Sequence, residues 1–301
     1  MGFDELRGKL AGVVAIPVTP FDEHDEVDES AYAGILTRMV DGGIDVVTPN
    51  GNTGEYYALT RAETRQAVEL TVKTVGDQAA VLAGVGYAVP DAIAAARHAR
   101  DAGAHAIMIH QPVHPYVSPA GWVRYHQAIA DAVPELGVVL YVRNPRIDGV
   151  HIGQLGELAP NVVGVKYAVP DPVRFGSVAR DAGMDRFVWL AGLAELSAPG
   201  YWATGAVGFT SGLANVSPAL PLAMLSALRD NDYPAAMRVW ERIRPFEELR
   251  AANESANNVS VVKAALAHLG LCRADVRPPI APVDDTTTAA IAGMLAGWGV
   301  T

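Results

Sequence analysis

Several shortages in the sequence exclude whole classes of protein. Its 301 residues include one cysteine, Cys272, so no internal disulfide framework is possible and a reducing cytoplasm is the expected compartment. No apolar run reaches the roughly 20 residues that a membrane-spanning helix needs. The N-terminal stretch MGFDELRGKLAGVV has acidic residues and no long apolar segment, which is not the composition of a signal peptide. Basic residues form no long run and the net charge is −10, so neither nucleic acid nor a membrane surface is an expected partner.

Lysine is also scarce, and one of the four lysines stands in an unusual place. Lys166 interrupts the apolar stretch NVVGVKYAVP, residues 161–170, whereas most basic positions elsewhere are arginine. Arginine holds its proton, but a buried lysine can lose its own, because desolvation disfavours the ammonium form by up to about 3–5 pKa units. The neutral amine can then attack a carbonyl and form an imine. The alternative is a lysine at a strand end that reaches solvent or pairs with a carboxylate.

Short, β-rich apolar runs recur along the first two thirds of the chain and predict parallel strands that are covered on both faces. The eight runs are 12–20, 44–51, 80–86, 106–112, 137–143, 162–168, 187–192 and 206–212. Alanine-rich segments of helical period separate them, and each strand-and-helix unit spans roughly 25–30 residues. The sequence therefore predicts an α/β fold, a (β/α)8 TIM barrel; a doubly wound open sheet is the second choice.

Beyond residue 215 the pattern becomes wholly helical, with predicted helices at 217–229, 232–251, 258–270 and 285–298. We interpret the first of these as the last barrel helix and the others as an appended helical segment. The predicted domains are thus a barrel over 1–230 and a C-terminal helical extension over 231–301.

In such a barrel the functional groups lie at the C-terminal ends of the strands. Lys166 is near the end of the sixth strand, Tyr141 is near the end of the fifth, and the loop NGNTGE (50–55) follows the second. The glycines of that loop allow backbone N–H groups to approach an anion, and the Thr53 hydroxyl could join them, although an ordinary turn has the same composition. Tyr141 could be a core aromatic or could shuttle protons, since imine chemistry needs an acid–base relay. Arg143 or Arg146 could hold the far end of an acidic substrate.

Five motifs in order resemble the dihydrodipicolinate synthase / N-acetylneuraminate lyase family of class I aldolases. They are AIPVTPFDEHDEVD, GNTGEYYAL, VLYVRNPR, GVKYA and GFTSGLANVSP, and the likeness covers nearly the whole chain. Family members are (β/α)8 barrels with a C-terminal helical extension that form a Schiff base between a lysine and a 2-oxo acid such as pyruvate. The resemblance implies a homodimer or homotetramer and no cofactor.

The resemblance also implies roles for individual residues. Lys166 would carry the imine and Tyr141 would relay protons. Gly51, Asn52 and Thr53 would form the loop that holds the substrate carboxylate. Further substrate contacts would come from the arginines after Tyr141, with Arg146 at the position of the synthases' substrate-carboxylate arginine, and from Thr210 in the pyruvate pocket.

Two positions depart from the synthase pattern. Asn52 stands where the synthases normally have the first threonine of GTTGE, and an amide cannot pass on a proton as a hydroxyl does. His114 stands where a relay tyrosine usually is, with Tyr116 close by, and its imidazole could serve as acid or base near neutral pH. GNTGEYYAL also looks like the GGTGEFFSL pattern of 5-dehydro-4-deoxyglucarate dehydratases. Synthase, aldolase and dehydratase therefore all stay open.

Two further alternatives belong to other classes. A metal-dependent aldolase on the same barrel would use a divalent ion as its electron sink, with ligands from His110, His114, Asp22 or Glu55, but no recognised metal-binding spacing accompanies them. We expect no metal and interpret His110 as a packed strand residue. A non-catalytic barrel that binds 2-oxo acids is the other alternative.

Overall fold

Eight parallel strands form the centre of the protein in a computed structural model that describes residues 1–300. The strands close into a barrel in chain order, β1 to β8. They are β1 (Val13–Ala15), β2 (Val46–Val47), β3 (Ala80–Val85), β4 (Ala106–Ile109), β5 (Gly137–Val142), β6 (Val162–Tyr167), β7 (Val188–Ala191) and β8 (Gly208–Ser211). Each lies within a predicted apolar run, so the predicted (β/α)8 barrel is confirmed and the open sheet is wrong.

Helices alternate with the strands and then continue alone, as the sequence pattern predicts. Within residues 1–300 they are α1 (Phe3–Leu10), α2 (Glu29–Asp41), α3 (Arg61–Val75), α4 (Val89–Ala102), α5 (Pro119–Asp131), α6 (Gly149–Leu158), α7 (Pro172–Ala182), α8 (Ala194–Trp202), α9 (Ala219–Arg229), α10 (Tyr233–Ser255), α11 (Ser260–His268) and α12 (Asp285–Trp298). None of them is long and apolar enough to cross a bilayer.

Local sequence explains where many of these helices begin. Thr60 caps α3 and forms a capping box with Glu63, because its hydroxyl accepts from the Glu63 N–H while the Glu63 carboxylate accepts from the Thr60 N–H. Asp171 caps α7, and Pro172 follows at the first helical position, where a missing N–H costs nothing. These signals fix the helix starts that return the chain to the next strand.

The strands β1 and β2 are shorter than their apolar runs, which extend over 12–20 and 44–51. Pro17 and Pro20 follow β1, and Pro49 follows β2. Proline has no N–H to donate to a neighbouring strand, so regular pairing ends before it. The remaining residues of the two apolar runs lie outside the strands, in the segments that follow and precede them.

The register of the later strands decides which side chains become neighbours. In the β5–β6 pair Tyr141 lies opposite Lys166, and in the β6–β7 pair Lys166 lies opposite Leu190. In the β4–β5 pair Ile109 lies opposite Leu140, so His110 follows β4 at the level of Tyr141. One level of the barrel wall thus holds a histidine, a tyrosine and a lysine on adjacent strands.

The chain divides into two units that do not follow the predicted boundary at residue 230. One unit contains residues 1–14 and 80–210, and the other contains residues 15–79 together with the chain from Ser211 onward. The C-terminal helices α10 to α12 therefore share a unit with the 51–58 loop. The division into a barrel over 1–230 and an extension over 231–301 stays a prediction.

Candidate active site

The unit of residues 1–14 and 80–210 contains Lys166, the residue predicted to carry the imine. Its side chain belongs to β6, where all six residues are buried, and only 3% of Lys166 is exposed. Val163 and Val165 on the same strand have no exposed surface, as expected for a parallel strand that is covered on both faces. The lysine therefore does not reach bulk solvent, as the alternative interpretation would require.

Burial changes the acid–base chemistry of this amine. Desolvation and, to a smaller extent, the positive charge of Arg143 together lower the pKa of Lys166 from 10.5 to about 7. Arg143 itself is exposed, two residues beyond Tyr141. At neutral pH a substantial fraction of Lys166 is thus the neutral amine, which is the nucleophilic form.

Tyr141 is the neighbour of this amine. The ring centroid of Tyr141 lies 4.5 Å from Lys166 Nζ, and the tyrosine is buried in β5. The two side chains come together because parallel register places them directly opposite each other. The structure thus brings these two predicted site residues together, and their catalytic roles stay predictions.

His110 completes the row, and the sequence analysis did not place it in the site. Its imidazole is fully buried, and its ring centroid lies 6.0 Å from that of Tyr141 in an edge-to-face arrangement. Its backbone N–H donates to the Val85 carbonyl oxygen at 2.8 Å, which extends the β3–β4 pairing by one residue. The interpretation as a packed residue fits the burial. Position directly after an apolar strand was the signal that could have linked it to Tyr141.

The other predicted residues of this unit lie at different depths. His114 is exposed in the loop between β4 and α5, where its Nδ1 accepts from the Tyr116 N–H at 3.1 Å. Arg146 is exposed in the loop after β5, and its backbone N–H donates to Asn144 Oδ1 at 3.0 Å. Thr210 is buried in β8, with its hydroxyl 3.5 Å from the Ala191 carbonyl oxygen. The roles of these three residues stay predictions.

The loop 51–54 lies in the second unit and has the tight geometry that its glycines suggest. Residues Asn52–Gly54 form one 3-10 turn, in which Thr53 is buried and Asn52 is partly exposed. A side chain on Gly51 would not fit, because a Cβ there would lie 2.4 Å from Ile16 Cγ2. The start of the turn is therefore closely packed against Ile16.

A buried ion pair anchors the end of this loop, and the sequence analysis missed it. Glu55 Oε1 lies 2.5 Å from Lys263 Nζ, and neither side chain is exposed. The second carboxylate oxygen accepts from the Arg277 backbone N–H at 2.9 Å. Lys263 also donates to the Asp275 carbonyl oxygen at 2.7 Å. The C-terminal helices thus hold the loop that follows β2.

The residues considered as metal ligands have other surroundings. Glu55 is engaged by Lys263, His110 packs on Tyr141, and His114 is exposed. Among residues 1–300 no group of three or more histidine, cysteine, aspartate or glutamate side chains is arranged to hold a metal ion.

Comparisons with known proteins agree with the fold and with the motifs. The sequence model of the Dihydrodipicolinate synthetase family matches residues 9–296. A 4-hydroxy-tetrahydrodipicolinate synthase of Phenylobacterium zucineum is 34% identical over 295 residues, covering 96% of this chain and 97% of the relative. The crystal structure of a dihydrodipicolinate synthase from Bacillus clausii superposes with a TM-score of 0.94 at 40% identity, covering 98% of this chain and 99% of that one. A dihydrodipicolinate synthase from Oceanobacillus iheyensis gives the same TM-score at 35% identity over the full length of both chains.

Proposed function

Because this chain belongs to the dihydrodipicolinate synthetase family, a family of Schiff-base lyases that act on pyruvate-type substrates, we propose that Lys166 forms an imine with pyruvate and that the resulting enamine adds to an aldehyde. The chain is a lyase of the class I aldolase type. The observation that supports the residue assignment is the buried Lys166 amine, whose pKa is lowered to about 7, beside the ring of Tyr141.

The proposed reaction uses the amine in its neutral form. Lys166 Nζ attacks C2 of pyruvate, and the carbinolamine loses water to give a protonated imine. The imine withdraws electrons from C3, so a C3 proton leaves and the enamine forms. The enamine C3 then bonds to the aldehyde carbon, and hydrolysis of the new imine releases the product and regenerates the amine. Tyr141 carries protons at the carbinolamine steps.

Other parts of the proposal come from the sequence motifs alone. We assign the substrate carboxylate to the 51–54 loop, through the Thr53 hydroxyl and neighbouring backbone N–H groups. Arg143 and Arg146 are assigned to the acidic end of the second substrate. His114 is assigned to acid–base chemistry, and Thr210 to the pyruvate pocket. These assignments rest on the resemblance and stay predictions.

For the second substrate we propose L-aspartate 4-semialdehyde, because the relatives compared above are named as synthases. Asn52 cannot take the relay role of a hydroxyl, which is the strongest argument against this choice. A 5-dehydro-4-deoxyglucarate dehydratase would share the lysine imine and expel a C4 hydroxyl. The comparisons give that alternative no added support.

The test is trapping with borohydride followed by intact-mass measurement. Wild-type protein with pyruvate should gain one reduced pyruvate adduct, and Lys166→Ala should gain none. Lys73→Ala is the matched control, because Lys73 is exposed on α3 and its removal should leave the adduct intact. An adduct on Lys166→Ala would refute the assignment.

A second measurement identifies the reaction. Pyruvate with L-aspartate 4-semialdehyde should be consumed together, and 5-dehydro-4-deoxyglucarate should be left unchanged. Turnover of the sugar acid alone would establish the dehydratase instead.

We further propose a cytoplasmic homodimer or homotetramer. The single cysteine and the oligomers that the family resemblance implies support this choice. Light scattering coupled to size-exclusion chromatography measures the mass directly, and a monomer would contradict the proposal.

A further inference from the structure

A line of polar side chains connects the C-terminal helices to Thr53 within the second unit. Asn258 lies between α10 and α11, 205 residues away from Thr53 in the sequence. Its amide Nδ2 is 3.5 Å from Thr53 Oγ1, a long hydrogen bond to a buried hydroxyl. Nothing in the sequence pattern of either segment predicts this contact.

The other side of the Asn258 amide determines which atom faces Thr53. Arg250 Nη2 lies 2.7 Å from the second polar atom of the amide. A guanidinium can donate hydrogen bonds and cannot accept them, so the atom beside Arg250 must be the carbonyl oxygen Oδ1. The NH2 group of Asn258 is therefore the group that points at Thr53, and Thr53 Oγ1 is the acceptor.

Arg250 is itself held in one position. Its Nη1 donates to both carboxylate oxygens of Glu247, at 2.6 and 2.8 Å, and both side chains are buried. Its Nε donates to the Asn258 backbone carbonyl oxygen at 3.4 Å. Gly212 makes room for the guanidinium, since a Cβ at that position would lie 2.1 Å from Arg250 Nη2. Gly212 belongs to the motif GFTSGLANVSP, and this close approach explains why a glycine is needed there.

The backbone before Asn258 is shaped to bring it to this place. Asn253, Glu254 and Ser255 have φ values of 53°, 58° and 69°, which are left-handed conformations that residues with a side chain adopt at a cost. They end the regular part of α10, and the Asn258 N–H then donates to the Ser255 carbonyl oxygen at 3.1 Å. The turn places the Asn258 side chain between Arg250 and Thr53.

We propose that Asn258, oriented by Arg250 and Glu247, positions the Thr53 hydroxyl to donate a hydrogen bond to the carboxylate of the 2-oxo acid. A hydroxyl has one proton and two acceptor lone pairs. When the Asn258 amide occupies one lone pair, the Thr53 proton is directed away from Asn258 and is available to an anion. This inference rests on the proposed function, because that function assigns the carboxylate to the 51–54 loop. Asn258 is a positioning residue, since it acts through Thr53.

Asn258→Asp is the sharpest test because it keeps the shape of the side chain and reverses the hydrogen bond. A carboxylate oxygen facing Thr53 accepts a hydrogen bond from the hydroxyl. The hydroxyl is then no longer available as a donor to the substrate carboxylate. The pyruvate concentration that gives half-maximal borohydride trapping should rise by about 10- to 100-fold, while the adduct at saturating pyruvate still forms. Asn257→Asp is the matched control: it adds the same charge one residue earlier and should leave this concentration within about twofold.

A double-mutant cycle with Thr53→Val separates a positioning role from a general structural one. If Asn258 acts through Thr53, then Asn258→Asp should have little further effect on half-saturation in the Thr53→Val background. Independent, multiplicative effects in the cycle would overturn the proposal. Should Asn258→Asp fail to fold, as thermal unfolding would show, Asn258→Ala removes the donor without adding charge and should weaken pyruvate binding less.

The possible failures are distinguishable. If wild-type protein gives no adduct with pyruvate, the proposed function itself is wrong. If wild type gives the adduct and folded Asn258→Asp has the same half-saturation, the imine assignment stands and the role of Asn258 is refuted.

Discussion

Two of the four lysines are buried, and they are buried in opposite ways. Lys166 has 3% of its surface exposed and lies over the Tyr141 ring, with a further positive charge, Arg143, acting on it. Lys263 has no exposed surface, forms an ion pair with Glu55 at 2.5 Å and lies 4.0 Å from the centroid of the Phe21 ring. The two sites differ in their charged neighbours: a second positive charge acts on Lys166, whereas a carboxylate pairs with Lys263.

This difference separates the proposed nucleophile from a lysine held in a buried ion pair. Desolvation is the largest cause that lowers the pKa of both amines. At Lys263 the carboxylate of Glu55 opposes that effect, whereas at Lys166 the second cause, Arg143, acts in the same direction. A buried amine without a compensating carboxylate loses its proton easily, whereas a carboxylate partner opposes that loss. Burial alone therefore does not identify a reactive lysine; the partner decides.

The largest expected effect comes from exchanging each lysine for methionine and measuring activity. Lys166→Met should abolish the trapped pyruvate adduct and reduce turnover by about 10³-fold or more, because no other group supplies the covalent step. Lys263→Met, assayed where it remains folded, should still form the adduct. Equal loss of the adduct in both variants, with circular dichroism showing both folded, would contradict the proposal that Lys166 and not Lys263 forms the imine.

Replacement of Lys263, unlike that of Lys166, should lower the free energy of unfolding. Lys263→Met leaves the buried Glu55 charge uncompensated, so the free energy of unfolding should fall by about 3–5 kcal/mol. The double variant Lys263→Met with Glu55→Gln removes that charge and should recover part of the loss. Urea unfolding measures all three proteins, and no recovery in the double variant would contradict the ion-pair explanation.

The sequence could predict the fold because the barrel depends on a repeated local pattern. Each apolar run with its following helix is recognisable alone, and strand order follows chain order, so Tyr141 and Lys166 could be placed on adjacent strands before any coordinates. The 3-10 turn at Asn52–Gly54 and the helix cap at Asp171 also have local signals.

The roles of the lysines could not be separated in this way. The stretches NVVGVKYAVP and VSVVKAALA both place a lysine in an apolar run. The carboxylate that distinguishes Lys263 is Glu55, more than two hundred residues earlier, and only folding brings it near. The same holds for Asn258 and Thr53, which are joined by a tertiary contact and by no shared pattern.

A third prediction concerns the cost of keeping Lys166 buried without a carboxylate. Its pKa is about 7 in the folded protein and 10.5 when unfolded. Below pH 7 both states hold the proton and the penalty for burying the charge is complete. Between these values the unfolded state binds more protons, so stability rises with pH.

Lys166→Met removes that penalty. The variant should be more stable than wild type by roughly 2–4 kcal/mol near pH 6, with the gain shrinking as the pH approaches 10. Urea midpoints across this pH range measure it. A gain that is independent of pH would mean that packing and not charge is responsible.

The smallest expected effect is that of Arg143, the exposed positive charge that contributes to the lowered pKa of Lys166. Arg143 is exposed and solvent screens its charge, so Arg143→Gln should raise the pKa of Lys166 by only a few tenths of a unit. Removing the positive charge favours the ammonium form, hence the pH midpoint of adduct formation should move upward and trapping at pH 7 should slow. Arg143→Lys keeps the charge and should keep the midpoint, and about 1 M salt should shrink the difference. An unchanged midpoint in Arg143→Gln would assign the reactivity of Lys166 to burial alone, because the charge of Arg143 would then have no measurable influence on its pKa.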